Sequence, residues 1–239
     1  MSTLFTLDFE GQGTDPSNGD AMTDANTGCT NMQVAGGGAA TFTTAQVHEG
    51  SLAGDFACAT SGTANTRHAG YTANLAWTVA YVYWDGVAPS TNAVILEAWN
   101  PASVLGAVRL TTGGTLQARD GTTADFTSDA LTAGWHRLAW LIDPAGDTHR
   151  LKIYSLGNVD GDTPDQDSGD MALTLTAGDQ WVDTIKTGVV TTAVLSVIFD
   201  GMVVDDAEEW FPSTEPPAAG RPIEYTFQGG DATDIANWV

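Results

Sequence analysis

The run Trp77-Thr78-Val79-Ala80-Tyr81-Val82-Tyr83-Trp84 constrains the fold more than any other part of the chain. Successive side chains on a strand point to opposite faces, so Trp77, Val79, Tyr81 and Tyr83 share one face and the even positions share the other. Both faces carry aromatic or branched residues, which suits a strand in the middle of a sheet. Other runs repeat the pattern: Leu138, Trp140 and Ile142 share a face, as do Leu151 and Ile153. Strands are expected near 4–9, 32–35, 40–43, 51–57, 67–71, 75–84, 93–99, 104–110, 115–119, 134–142, 149–156, 182–187, 193–199 and 202–210.

Turn chemistry separates these runs. Gly113-Gly114 and Asp120-Gly121 have the composition of tight hairpin turns, and Pro144-Ala145-Gly146-Asp147 marks another. The helical candidates are a turn at 206–210 and the last residues, 231–238. Many short strands at close, regular spacing predict an all-β class, a two-sheet antiparallel sandwich.

Residues 1–212 read as that sandwich, in one domain. Residues 213–222 hold Pro216, Pro217 and Pro222 and read as a semi-rigid linker, since proline cannot continue a sheet. Residues 223–239 form a C-terminal extension too short for its own core. With Ile223, Tyr225, Phe227 and Trp238, it reads as a docking segment that packs on the sandwich or on a neighbouring chain.

Charge is lopsided. Eight Lys and Arg face thirty Asp and Glu, a formal net charge of −22. Twenty-three of the acids are Asp, which favours turns and caps over helices. Such a surface repels nucleic acid and anionic membranes and draws cations or a basic partner. No apolar run is long enough to span a bilayer, and no basic start followed by an apolar run marks a removable leader. Neither nucleic-acid binding nor membrane insertion is expected. Cys29 and Cys58, with 28 residues between them, are compatible with one disulfide or with two buried thiols.

The chemistry-bearing clusters are few. Asp160, Asp162, Asp165 and Asp167 crowd one loop, where a calcium ion would relieve their repulsion. The loop departs from a calcium-binding helix-loop-helix pattern at Thr163 and Gly169, so a solvated loop is the other reading. Glycoside hydrolysis needs two carboxylates flanking a bond, and Glu97 stands alone on its strand. No serine-nucleophile or phosphate-loop motif occurs. His136 and His149 flank one hairpin. Sugar-binding faces stack exposed aromatics on sugar rings, which makes Tyr71, Trp84, Trp99 and Trp181 candidates.

Three stretches carry a family likeness: Asp8-Phe9-Glu10 in the first strand, Gly134-Trp135-His136-Arg137-Leu138, and Phe199-Asp200-Gly201-Met202-Val203-Val204-Asp205-Asp206 near the end. Together they resemble the laminin-G-like, concanavalin-A-like jelly-roll domains found in tail and surface proteins of tailed phages. The resemblance implies a jelly roll with first and last strands adjacent. It implies a structural calcium near that junction, for which Asp8, Glu10, Asp200 and Asp205 would supply oxygens. It also implies a non-enzymatic structural or adhesion role in a virus particle, at a tail tip, a fibre or the capsid surface. The partners would then be other virion proteins, further copies of the chain and a host-surface glycan. A free carbohydrate-binding module or lectin is the alternative, and a glycoside hydrolase of the same fold the third reading.

Overall fold

The computed structural model describes residues 3–11, 15–120, 123–175 and 181–206. Along the chain run β1 (Thr3–Leu7), α1 (Asp24–Thr27), β2 (Asn31–Ala35), β3 (Gly38–Thr43), β4 (Ala53–Ala73), β5 (Ala76–Trp84), β6 (Ala93–Trp99) and β7 (Val104–Leu110). They are followed by β8 (Thr115–Arg119), β9 (Ala124–Ala130), β10 (Gly134–Asp143), β11 (Thr148–Tyr154), β12 (Gln166–Asp167), β13 (Met171–Ala172) and β14 (Val182–Asp205). The protein is all-β, and each strand pair is antiparallel. The sandwich expectation holds.

The strands form one continuous sheet in the order β12-β11-β10-β5-β14-β6-β7-β8-β9. What folds it into two leaves is the length of β4 and β14. These strands pair with each other from Val182↔Ala73 to Phe199↔Gly54. The C-terminal half of β14 takes β5 as its other neighbour, and the N-terminal half takes β6. Register shifts between Val189 and Leu195 bend the pair. Gly188 sits at this bend with φ +118, where a Cβ would fall 2.5 Å from the Ala64 carbonyl oxygen and 2.7 Å from Phe56. Only glycine meets both conditions.

The first leaf is β11, β10, β5, the C-terminal half of β14, the N-terminal half of β4, and β3; the second is β9, β8, β7, β6, the other halves of β14 and β4, and β2. Their inner faces meet in one core. Val82, Trp84 and Leu138 of the first leaf and Ile95, Leu110 and Leu116 of the second surround an apolar gap of only about 10 Å³. A Cβ on Gly106 of β7 would lie 2.7 Å from Ile142 of β10, so the leaves touch there. Of the Trp77–Trp84 run, the even set (Ala80, Val82, Trp84) joins this core. The odd-numbered Val79 packs separately, with Ala139, Tyr154 and Trp77, on the outer face.

The expected hairpins at Gly113-Gly114 and Pro144–Asp147 connect β7–β8 and β10–β11; β8 and β9 pair on either side of Asp120-Gly121, whose Gly121 lies outside the described residues. As the resemblance implies, the first strand lies beside the last, with Leu7 opposite Met202. Two expectations are corrected, and of the two readings of the cysteines the buried thiols hold. The runs near 51–57 and 67–71 are parts of the single strand β4, and those near 182–187, 193–199 and 202–210 fall in the single strand β14, which ends at Asp205. Strand β9 and helix α1, the latter capped by Thr23 and ended by Gly28 in the left-handed region, were not expected. The cysteines form no disulfide: Cys58 is in the core, while the Cys29 Sγ accepts a hydrogen bond from the Thr27 hydroxyl at 3.1 Å. The linker 213–222 and the docking segment, with Ile223, Tyr225, Phe227 and Trp238, lie outside the described residues.

Candidate functional site

The outer faces of the two leaves differ in how their polar groups are used. On the first leaf, Tyr81, Arg137 and Tyr154 stand side by side on three neighbouring strands. The Arg137 guanidinium is buried, lies 3.7 Å from the centre of the Tyr154 ring and donates to the Gly161 carbonyl at 2.6 Å. The Tyr81 hydroxyl donates to Asp160 at 2.9 Å, and the His48 ring stacks on Tyr81 at 3.7 Å. Asp200, fully buried, accepts the backbone N–H groups of His48, Glu49 and Gly201 at 2.8–2.9 Å. Burial outweighs those bonds and pushes its carboxyl up to about 6. At the leaf's edge, Arg150 grips Asp167 through two bonds of 2.8 and 2.5 Å and reaches Asp170 at 3.4 Å. Two loops, one around His48 and one through Asp160 to Asp170, thus close over this face.

These contacts also show where the expected calcium ligands lie. Glu10 accepts the N–H groups of Ser51 and Leu52 and the Ser51 hydroxyl. Asp8 accepts the Glu10 N–H, and Asp165 the Ser155 N–H. Asp205 ends β14 opposite Thr3 and Trp77, and Asp162 is exposed on the acidic loop. Among the described residues, no three His, Cys, Asp or Glu side chains come together as a group able to hold a metal. His136 and His149 are not brought together as a working pair: the first has its Nε2 2.9 Å from the Thr132 carbonyl, the second 3.2 Å from Asp125.

The second leaf has an open feature. Its register sets Arg119, Ala107, Glu97, Lys186, Arg67 and Asn31 in one row across six strands, pointing to the same side. Beside this row is a cleft of about 230 Å³ lined by Gln33, Arg67, Trp99, Asn100, Pro101, Thr184 and Lys186. Strands β2, β4, β6 and β14 each contribute to it. Glu97, nearly buried, accepts the Trp99 Nε1–H at 2.5 Å and the Lys186 ammonium at 3.0 Å on one oxygen. That fork fixes the indole, and Lys186 also lies 4.2 Å from the Trp99 ring centre. Asn100 accepts the N–H groups of Ala102 and Ser103 at 2.7 Å each, shaping the turn at the cleft's end.

Arg67 differs from Lys186 beside it, which Glu97 pairs. Its Nε is shielded from solvent without a hydrogen-bond partner. No ion pair among the described residues involves it. Four of the chain's eight cations, Arg67, Arg109, Arg119 and Lys186, stand on the strands of this leaf, although the chain as a whole is strongly acidic.

The aromatics expected to bind sugar are dispersed. Trp84 is in the core with its Nε1–H donated to the Val87 carbonyl at 2.9 Å, so no sugar reaches it. Tyr71 stacks on Phe5, with ring centres 5.7 Å apart. Trp181 precedes β14 and is half-buried. Trp99 alone of the four lines the cleft. Arg67, Lys186, Gln33, Asn100 and Thr184 escaped the sequence reading. The signal available was scarcity: Lys186 is one of two lysines in the chain.

No protein-family model matches the chain, and no curated protein matches it in sequence. Solved structures do match in fold. A Trypanosoma rangeli sialidase, in complex with 2,3-difluorosialic acid as a covalent intermediate, aligns at TM-score 0.50 and 11% identity over 85% of this chain and 31% of its own. The binding domain of botulinum neurotoxin DC, in complex with rat synaptotagmin II, aligns at TM-score 0.52 and 8% identity over 87% and 49%. The cellulose-induced protein Cip1 aligns at TM-score 0.52 and 10% identity over 74% of this chain and 92% of its own. The chain thus spans about a third of the sialidase and half of the toxin domain. The shared architecture is a β-sandwich. The expectation of a non-enzymatic chain is corrected here: the structural neighbours are mostly sialidases, so the fold is one that enzymes carry.

Proposed function

We propose that this chain recognises a glycan, and that the Trp99 cleft on the second leaf receives one of its sugar rings. The observation that carries this is the cleft itself: an indole held in place by Glu97 and Lys186, ringed by Arg67, Gln33, Asn100 and Thr184. An aromatic surface with polar groups around it meets both sides of a sugar, its C–H face and its hydroxyls. A volume of about 230 Å³ suits one ring rather than an extended chain. The fold's recurrence in a sialidase and a toxin binding domain agrees with a recognition role.

The test is a glycan panel probed with the full chain, followed by titration of each hit. Trp99→Ala should weaken binding at least about tenfold, the loss of roughly 1.4 kcal/mol expected when a stacking surface is removed. Unchanged binding in that variant, with the fold intact by circular dichroism, would move the site elsewhere. The setting we propose, from the laminin-G-like resemblance, is the surface of a tailed virus particle, where further copies of the chain and other virion proteins would be its neighbours. Immunogold labelling of purified particles tests that setting separately.

A further inference from the structure

We infer that the sugar received by this cleft is acidic, carrying a carboxylate that pairs with Arg67. The inference rests on the glycan reading above and adds the chemical class of the ligand. Three observations support it. Arg67 lines the cleft, and no ion pair among the described residues involves it. The seven side chains lining the cleft include two cations and no carboxylate. Lys186 is already matched by Glu97 at 3.0 Å, so the charge left for a ligand is that of Arg67.

The geometry fits a carboxylate on a ring better than a free anion. A guanidinium presents parallel N–H donors that take both oxygens of a carboxylate. Arg67 lies next to Lys186 in register, and Lys186 lies over the Trp99 indole. A ring resting against Trp99 would therefore hold its acid group toward Arg67, with the exposed Gln33 beside its hydroxyls. The net charge of −22 makes this selection costly for other anions: only one held at close range by Arg67 escapes the repulsion of the remaining surface.

Calorimetric titration of the full chain with matched pairs of methyl glycosides tests the inference: glucose against glucuronate, galactose against galacturonate, with N-acetylneuraminate and glucose 6-sulfate alongside. At least one carboxylate sugar should bind about tenfold or more tighter than its neutral partner, and added salt should shrink the difference. Arg67→Gln should abolish the difference, bringing the affinity for the carboxylate sugar down to that for its neutral partner. Arg67→Lys keeps the charge without the planar fork and should lose most of it, which covers the case in which the glutamine variant does not fold. Equal binding of acidic and neutral sugars overturns the carboxylate assignment and leaves the glycan reading standing. Tighter binding of the sulfate than of every carboxylate also overturns it. Binding of no sugar in the panel overturns the glycan reading, and this inference with it.

Discussion

The two leaves of the sandwich carry similar numbers of cations on their outer faces and use them differently. On the first leaf, Arg137 is sealed between Tyr154 and Gly161, Arg150 is clamped to Asp167 and Asp170, and Lys152 lies 5.2 Å from the Trp77 ring centre. On the second, Arg67 faces a cleft with nothing answering its charge. A face closed over by its own loops contributes to stability. A face left open beside a cation that no carboxylate answers is prepared for something from outside.

The comparison breaks first at Arg137. Its removal as Arg137→Ala uncovers the Tyr154 ring and the Gly161 carbonyl, and breaking a buried charged contact costs about 3–5 kcal/mol. Urea denaturation should show that loss, with glycan binding by the surviving folded fraction unchanged. A smaller loss would mean that the first leaf is less closed than its contacts suggest.

Next in size is a pair of opposed pH effects. His68 is buried against Phe5 at 4.0 Å, and burial lowers its pKa from 6.5 to about 4. The unfolded chain therefore binds the extra proton first, and stability from His68 falls as pH drops from 6.5 toward 4. Asp200 does the reverse: its folded pKa of about 6 lies above the ordinary 3.8, so stability rises as pH drops through that window. Each is worth about 3 kcal/mol, so these two nearly offset each other, while His48, His136 and His149, also lowered by burial, add to the loss on acidification. Asp200→Asn should remove the opposing gain and make the fall in melting temperature on acidification clearly steeper. An unchanged profile would show that Asp200 does not hold its proton.

Arg150→Gln, at the partly exposed edge of the first leaf, should cost only about 0.5–1 kcal/mol, less at high salt. Smallest of all is Arg67→Gln, which should change stability by under about 0.5 kcal/mol because no protein partner is lost. A large loss there would give Arg67 a structural role and erase the contrast between the leaves.

The sequence showed the layers more readily than the site. Alternation in Trp77–Trp84 needs no knowledge of distant residues, and the even set's role in the core follows from the pleat alone. The length of β4 was hidden because Thr60-Ser61-Gly62-Thr63 has the composition of a turn, yet it continues the strand where a Cβ on Gly62 would fall 2.6 Å from the Ala35 and Gly36 carbonyl oxygens. Strand β9 was missed because Asp125, Thr127 and Asp129 make it read as a loop; it lies at the sheet's edge, where polar residues are tolerated. The cleft was illegible for a different reason. Arg67, Trp99 and Lys186 belong to strands far apart in sequence, and only cross-strand register brings them together.

Neither leaf has the bend to itself. Strands β4 and β14 cross it together, so the backbone that frames the Trp99 cleft is the same backbone that carries Asp200 and the closed face. A joint made of two continuous ribbons cannot gape like a hinge. A visiting molecule should meet a rigid socket, and heat should undo both halves in a single cooperative step rather than peel one from the other.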